Sequence, residues 1–426
     1  MSNVVLLGLV SLFTDISTQM IYPIIPLYLS MVLGAGPAII GIMEGIAESV
    51  ASVVRLFSGV MADRRGNKKR LAFIGYAGSM LNKLIIIFSA TWAGILVARI
   101  IDRLGKGIRT APRDALIAES GGRSRMGKAF GLHKGLDLFG TAVGIMLAWL
   151  VVSGRLDWAM AQIGGLFAGL PMPGSVGDYV VSNGVAGNYI ALGAEVSRYR
   201  TVFALSIIPA LIGLVFLAFV KEKAVAKTEG TARAKKPVSF NWKNLDGRLK
   251  LFLVFIFVFT LGNSSNAFII LRAVDVGFSP TSVILLYFAF NMTGSLLAYP
   301  AGLLSDRFGR KNVLCAGYFL YGVVYLGIAL ASSGTVFVAL FIVYGFYAAL
   351  TAGVEKALIV DIVPGEHKAS ALGLHAAIVG IGLLPASVIA GFLWQWIGPS
   401  APFLFGGVLA FVTSVAVFIV LSRANA

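Results

Sequence analysis

The chain has 426 residues, 58% of them hydrophobic and only 13% charged, with a mean hydropathy of +0.88 and a formal net charge of +16. Soluble domains carry about 25% charged residues, so a water-soluble globular fold is excluded. One cysteine, Cys315, excludes an internal disulfide and a multi-cysteine metal site.

Twelve apolar runs follow in chain order: 4–29, 38–61, 71–90, 92–117, 129–152 and 201–220, then 251–271, 280–303, 312–332, 335–362, 371–394 and 402–421. Each approaches the ~20 residues that a helix needs to cross a bilayer. They are too long and continuous for barrel strands, and lipid leaves an open strand edge without partners. The expected fold class is therefore an all-α membrane protein of twelve transmembrane helices.

The basic residues are placed unevenly. Only Arg155, Arg198, Arg200 and Arg272 fall in loops opposite the N-terminal side, while most of the rest lie in loops on that side. This asymmetry is the positive-inside pattern. It puts both termini in the cytoplasm of a bacterial inner membrane and makes anionic lipid, not nucleic acid, the partner of the basic charge. The N-terminus lacks a basic region and a cleavage site, so the first run reads as an uncleaved membrane signal.

The first run carries Asp15, Gln19 and Tyr22, and the second carries Glu44 and Glu48 one helical turn apart. Two close carboxylates out of water favour protonation of one of them. Asp15 and Glu48, near mid-depth, are the first candidates for proton exchange, with Glu44 and Asp137 behind them; a static salt bridge to Arg103, Lys83 or Lys134 is the alternative. The second run ends in Gly59-Val-Met-Ala-Asp63-Arg64, and the eighth in Gly302-Leu-Leu-Ser-Asp306-Arg307.

The fourth run is chemically unlike the others. Arg99, Asp102, Arg103, Lys106, Arg109, Arg113 and Asp114 lie in a segment that must cross lipid. A charge at the bilayer centre costs at least about 2.5–3.5 kcal/mol. At ~100° per residue Arg99, Arg103, Lys106 and Arg113 share a face, which calls for a watery cavity or carboxylate partners.

Residues 153–200 connect the fifth and sixth runs and form an extracytoplasmic insertion, read as a surface loop or a partial lid. Residues 221–250 are basic and read as a cytoplasmic linker between a first bundle, 1–220, and a second, 251–426. The two halves align. Arg113-Asp114-Ala115-Leu116-Ile117 matches Glu355-Lys356-Ala357-Leu358-Ile359 with the charges swapped, and Phe130-Gly131-Leu132-His133 matches Leu372-Gly373-Leu374-His375. Internal duplication is characteristic of transporters with a site between repeats at the midplane. Asn263, Asn266 and Asn291, with Gln19, Tyr22, Arg99 and Arg103, are polar at that depth. They either line a cavity, with Phe259, Phe268, Tyr344 and Tyr347, or serve as interhelical hydrogen bonds.

With the repeated Asp-Arg element between the second and third and the eighth and ninth runs, the chain resembles the major facilitator superfamily over nearly its whole length. The closer resemblance is to a bacterial efflux-type permease branch. That resemblance implies two six-helix bundles around a central cavity and alternating access. It implies that Gly59, Asp63, Arg64, Gly302, Asp306 and Arg307 latch the cytoplasmic face, with Glu355 reading as a gate partner of Lys356 or of the fourth run. It also implies that Arg103 faces the cavity, although Lys106 and Arg109 depart from the family's pattern there. Glycines 131, 135, 140 and 144 resemble an antiporter motif that lacks its Gly-Pro pair.

The function expected is proton-coupled transport of a small organic solute, with export favoured. An organic-anion exchanger using the basic face of the fourth run is one alternative, and a lipid-moving or receptor-like protein is another. No ATP-binding loop, metal cage or hydrolase triad occurs in the sequence, so neither an enzyme nor a cofactor is expected. A monomer is the expected state.

Overall fold

The computed structural model describes residues 2–65, 67–121, 126–157, 189–222, 247–363 and 368–423. Every regular element among them is helical, as the bilayer argument requires. Eleven helical segments are long and apolar enough to cross a membrane. The twelfth, Trp92–Gly121, is long enough at 30 residues but too charged to be read as a span by composition. With it the count reaches twelve.

Span one runs through Ser2–Ile21, Ile24–Leu27 and a π turn at Tyr28–Val32. Spans two to five are Pro37–Arg65, Lys68–Phe88, Trp92–Gly121 and Met126–Val152. Span six combines Tyr189–Leu205 and Ile207–Phe219. The last stretch of the predicted 153–200 insertion is therefore helix; 158–188 lie outside the described residues. Span seven is Gly247–Gly262 with Asn266–Asp275, and spans eight and nine are Pro280–Phe308 and Arg310–Leu330. Span ten is Gly334–Ala352 with Val354–Ile362, and spans eleven and twelve are Lys368–Trp396 and Ala401–Arg423. Most of the predicted linker, 223–246, lies outside the described residues; its last residues begin span seven.

An even number of spans returns the chain to the face on which it began. Asn3 confirms this locally, because its side chain bonds the Lys221 carbonyl at 2.6 Å, just past span six. We call this the terminus face and its opposite the far face. On the terminus face the Glu222 carboxylate accepts from the Lys68 and Lys69 amides at 2.8 and 3.2 Å, satisfying free donors at the start of span three.

The outward surface inverts soluble logic. Phe57, Phe139, Leu296, Tyr299, Leu330 and Phe418 are exposed. A belt of exposed apolar side chains on a folded chain fits lipid as its solvent.

Within the first half, span one packs on span five and span four on spans two and three; in the second, span nine packs on span twelve and span eight on span ten. Spans two and eleven, and spans five and eight, join the halves. Gly41 makes the span two–eleven seam possible: a Cβ there would stand 2.3 Å from the Ser387 carbonyl oxygen. Gly144 does the same between spans five and one, where a Cβ would meet the Ile16 carbonyl at 2.5 Å. The glycines of span five thus include at least one required for helix approach.

From the far face inward, Gly391 approaches Pro37 and Ala38, Gly41 approaches Ser387, Gly45 approaches Leu384, Ser49 donates to the Gly380 carbonyl at 2.8 Å, and Gly380 approaches Ser52. The halves are closely packed along this seam from the far face inward.

Candidate functional site

Span two presents Glu44 and Glu48 one turn apart, and span four presents Arg99 and Arg103 with the same spacing. The two ladders meet in register. Arg99 forms a buried ion pair with Glu44. Arg103, 3% exposed, pairs with Glu48 at 2.8 Å. For Glu48 this is the static pair with Arg103 that the sequence offered as the alternative, and Glu44 likewise has its own guanidinium.

Around these pairs lie further buried charges. Lys83, 1% exposed, donates to the Ser79 carbonyl at 2.8 Å. Arg109 bonds the Ser79 hydroxyl and lies over the Tyr76 ring at 4.7 Å. Asp102 is buried in the electrostatic neighbourhood of Arg103, Lys83, Arg109 and Arg99. Thr18, Tyr22, Asn82, Lys83, Arg99 and Asp102 line a hollow of about 10 Å³, room for roughly one water.

On the other flank of the first half, Asp15 of span one and Asp137 of span five are electrostatic neighbours across the packed span one–five interface. Asp137 accepts from the Ser11 hydroxyl at 3.2 Å and from Lys134 at 2.5 Å.

The second half has a different interior. A cavity of about 280 Å³ is lined by Phe259, Phe290, Tyr344 and Tyr347, by the amides of Asn263 and Asn266, and by Glu355. Among its lining rings Phe290 stacks on Tyr344 at 4.8 Å and Tyr344 on Tyr347 at 5.4 Å, while Phe259 stacks on the buried Tyr318 behind it at 4.0 Å, and Tyr321 on Tyr325 at 3.9 Å. Asn263 donates to the Tyr347 hydroxyl at 3.0 Å, and the Tyr344 hydroxyl donates to Asn266 at 3.1 Å. Asn263 and Asn266 lie at the break in span seven that follows Gly262; such breaks are tolerated where the backbone lines a cavity or is buried in protein.

The two interiors meet at the far-face end. The Arg99 guanidinium lies 5.4 Å from the Tyr22 ring centre, Tyr22 stacks on Tyr287 at 5.7 Å, and Tyr287 meets Phe290 at 5.9 Å. Beside this chain of rings, the Ser265 hydroxyl donates to Glu44 at 3.0 Å. Ser265 belongs to the break in span seven, so this bond ties one half to the other.

Three sequence expectations are corrected. Glu355 pairs neither with Lys356 nor with span four. The Tyr318 hydroxyl donates to it at 2.8 Å and His375 Nε2 lies 3.2 Å from it, whereas Lys356 is exposed. Adjacent residues on a helix point ~100° apart, so only one of the two can face inward. Phe268 is fully buried beside Trp394 and does not line the cavity. Asn291 bonds the Tyr287 carbonyl at 2.8 Å, one turn back on its own helix, and is also absent from the lining. Gln19 is half-buried in span one, and its Oε1 has no partner among the described residues.

Of the Asp-Arg elements, Gly59, Asp63 and Arg64 lie on helix, but their side chains fall outside those described. Asp306 lies 3.6 Å from Arg310, which also reaches Asp361 at 2.7 Å and the Ala357 carbonyl at 2.8 Å. Arg307 packs over its neighbour Phe308, and Gly302 stands open. These contacts link spans eight, nine and ten within one half. Sequence reading missed Arg310, Ser265, Tyr287 and the Tyr318–Glu355–His375 cluster. The repeat of His133 as His375 next to the charge swap was the signal for the last of these.

The profile of the Major Facilitator Superfamily matches residues 7–271 and 251–426. The uncharacterised MFS-type transporter MJ1317 of Methanocaldococcus jannaschii is 35% identical over 419 residues, covering 97% of this chain and 93% of that one. The quinolone resistance protein NorA of Staphylococcus aureus is 28% identical over 144 residues, 33% of this chain and 37% of its own. Among solved structures, the nucleoside transporter NupG superposes with a TM-score of 0.73 at 14% identity, covering 98% and 99% of the two chains. A D-xylose–proton symporter superposes with 0.71 at 16% identity, covering 98% and 97%.

Proposed function

The chain belongs to the major facilitator superfamily, and from that premise we propose that it is a proton-coupled secondary transporter of a small organic solute. The arrangement that carries the coupling is the placing of Asp15 and Asp137 on the packed faces of spans one and five, where Ser11, one turn before Asp15, donates to Asp137 at 3.2 Å. Two neighbouring carboxyl groups hold a proton that either can release when the bundle moves. Glu48 is the second exchange candidate, because it is the most exposed carboxylate of the two ion-paired ladders, at 29% of its side chain.

The cycle is alternating access. The far face is closed by the span two–eleven seam, the Tyr22–Tyr287 stack and the Ser265–Glu44 bond. The cavity then opens toward the terminus face, which the positive-inside pattern assigns to the cytoplasm. Opening the far face requires breaking those three contacts. The Asp63–Arg64 and Asp306–Arg307 elements latch the opposite face in the other state. The partial match to NorA supports export over import.

The test is flux in proteoliposomes loaded with a pH-sensitive dye, with 1-naphthoate, 1-naphthamide and 1-naphthylmethylammonium as test solutes. Coupled movement of protons with one of them, above protein-free liposomes, is expected. Solute movement that leaves internal pH untouched and ignores an imposed pH gradient would sink proton coupling.

A further inference from the structure

The central charged cluster does not balance. Lys83, Arg99, Arg103, Lys106 and Arg109 face Glu44, Glu48 and Asp102. Glu44 is taken by Arg99 and Glu48 by Arg103. Asp102 lies in the field of Arg103, Lys83 and Arg109 without an ion pair among the described residues, so the cluster holds five cations against three acids. Lys106 and Arg109 then have no carboxylate within ion-pair distance among the described residues, and Arg109 contacts the Ser79 hydroxyl and the Tyr76 ring instead.

The flanking acids do not restore balance. Asp137 is matched by Lys134 and Asp114 by Arg113, and Asp15 is the electrostatic neighbour of Asp137. The Nε atoms of both Arg99 and Arg103 are buried without a partner among the described residues. Arg109 is buried and Lys106 half-buried beside it, and a buried charge without compensation costs several kcal/mol. An interior with surplus cations is therefore built to take a negative charge from outside itself.

The second half shows what else such a ligand carries. Its cavity is walled by Phe259, Phe290, Tyr344 and Tyr347, with Asn263 and Asn266 as hydrogen-bonding groups. At about 280 Å³ it sits near the lower end of the ~300–1,000 Å³ of small-molecule sites. Its one carboxylate, Glu355, already has both oxygens engaged by Tyr318 and His375. No free acid waits there for a cation. The ring chain from Arg99 through Tyr22 and Tyr287 to Phe290 joins basic face and aromatic wall.

We infer that the solute is a planar aromatic acid, whose anionic group meets Lys106 on span four and whose ring stacks on the tyrosine wall of the second half. This names the cargo class of the transporter proposed above and rests on that reading. Binding, which needs no transport cycle, tests it separately.

Full-length protein in lipid nanodiscs is titrated with 1-naphthoate, 1-naphthamide and 1-naphthylmethylammonium, reading affinity by calorimetry and stabilisation by thermal shift. Naphthoate is expected to bind at least about tenfold more tightly than the amide, the difference that one charged hydrogen bond makes. The ammonium is expected to bind more weakly than either. Lys106→Gln lowers naphthoate affinity about tenfold and amide affinity by less, while Lys106→Arg restores it. Tyr344→Ala weakens naphthoate and amide together.

Equal or tighter binding of the ammonium, no binding of naphthoate, or unchanged naphthoate affinity in a folded Lys106→Gln would each overturn the inference. Ammonium flux driven by a pH gradient would also overturn it while leaving the transporter reading intact. Naphthoate binding with no flux of any solute would support the site and sink the transporter reading.

Discussion

The two halves share one fold and have opposite interiors. The first is filled with charge: Glu44–Arg99, Glu48–Arg103, Lys83, Asp102 and the Asp15–Asp137 pair. The second is filled with rings, with Tyr318, Tyr321 and Tyr325 fully buried and Glu355 held by Tyr318 and His375. Duplication supplies two scaffolds that pack alike, so divergence is free to act on what faces the cleft. The lesson is a division of labour. One half holds the ions and protons, and the other holds the surface on which an organic body stacks.

The contrast is broken most directly by removing one acid. Glu44→Leu leaves Arg99 buried without its carboxylate, and thermal unfolding in detergent is expected to show a loss of about 3–5 kcal/mol. Its counterpart in the second half, Tyr321→Phe, deletes a hydroxyl that donates to the Gly262 carbonyl at 3.0 Å and is expected to cost only about 1 kcal/mol. Equal losses would erase the distinction between a charged and an aromatic interior.

The next test concerns the seam on which the halves close. Gly41→Val places side-chain atoms where the Ser387 carbonyl stands. A loss of about 1–3 kcal/mol follows from overpacking, together with a shift toward the state open at the far face. Labelling of a cysteine introduced at Ser30, on the far face, reads that shift. A milder version is Ser265→Ala, which removes a hydroxyl that both bridges to Glu44 and caps the Asn266–Asp275 helix. About 1 kcal/mol of far-face closure is expected to go with it, seen as a several-fold increase in the same labelling. No change in labelling would show that the seam alone holds the face shut.

Much of the fold was legible because hydrophobic length is a strong signal in lipid. Eleven spans announce themselves that way, and the repeated Asp-Arg element gave the twofold organisation. The breaks were not legible. Span seven stops at Gly262 and restarts at Asn266 within an almost unbroken apolar run, and only tertiary packing decides where a helix yields.

At the site, residue type was readable and partnership was not. Glu44 and Glu48 stand out as buried acids, and Arg99 and Arg103 as buried bases. That the two i,i+4 ladders face each other depends on the rotation of span two against span four. The same geometry separates Glu355 from Lys356, adjacent in sequence but on different sides of their helix. Ser265 carries only the local signal of a helix N-cap, its hydroxyl accepting from the Ala267 amide at 3.2 Å; its bridge to Glu44 follows from the span-two carboxylate opposite.

The most direct test of proton coupling in the charged half is accumulation of 1-naphthoate by proteoliposomes under an imposed pH gradient, compared between the natural chain and Asp15→Asn. The natural chain is expected to concentrate the solute above protein-free liposomes, and Asp15→Asn to lose accumulation while still exchanging labelled for unlabelled solute at equilibrium. Gradient-driven accumulation undiminished in Asp15→Asn would contradict the assignment of the Asp15–Asp137 pair as the coupling site.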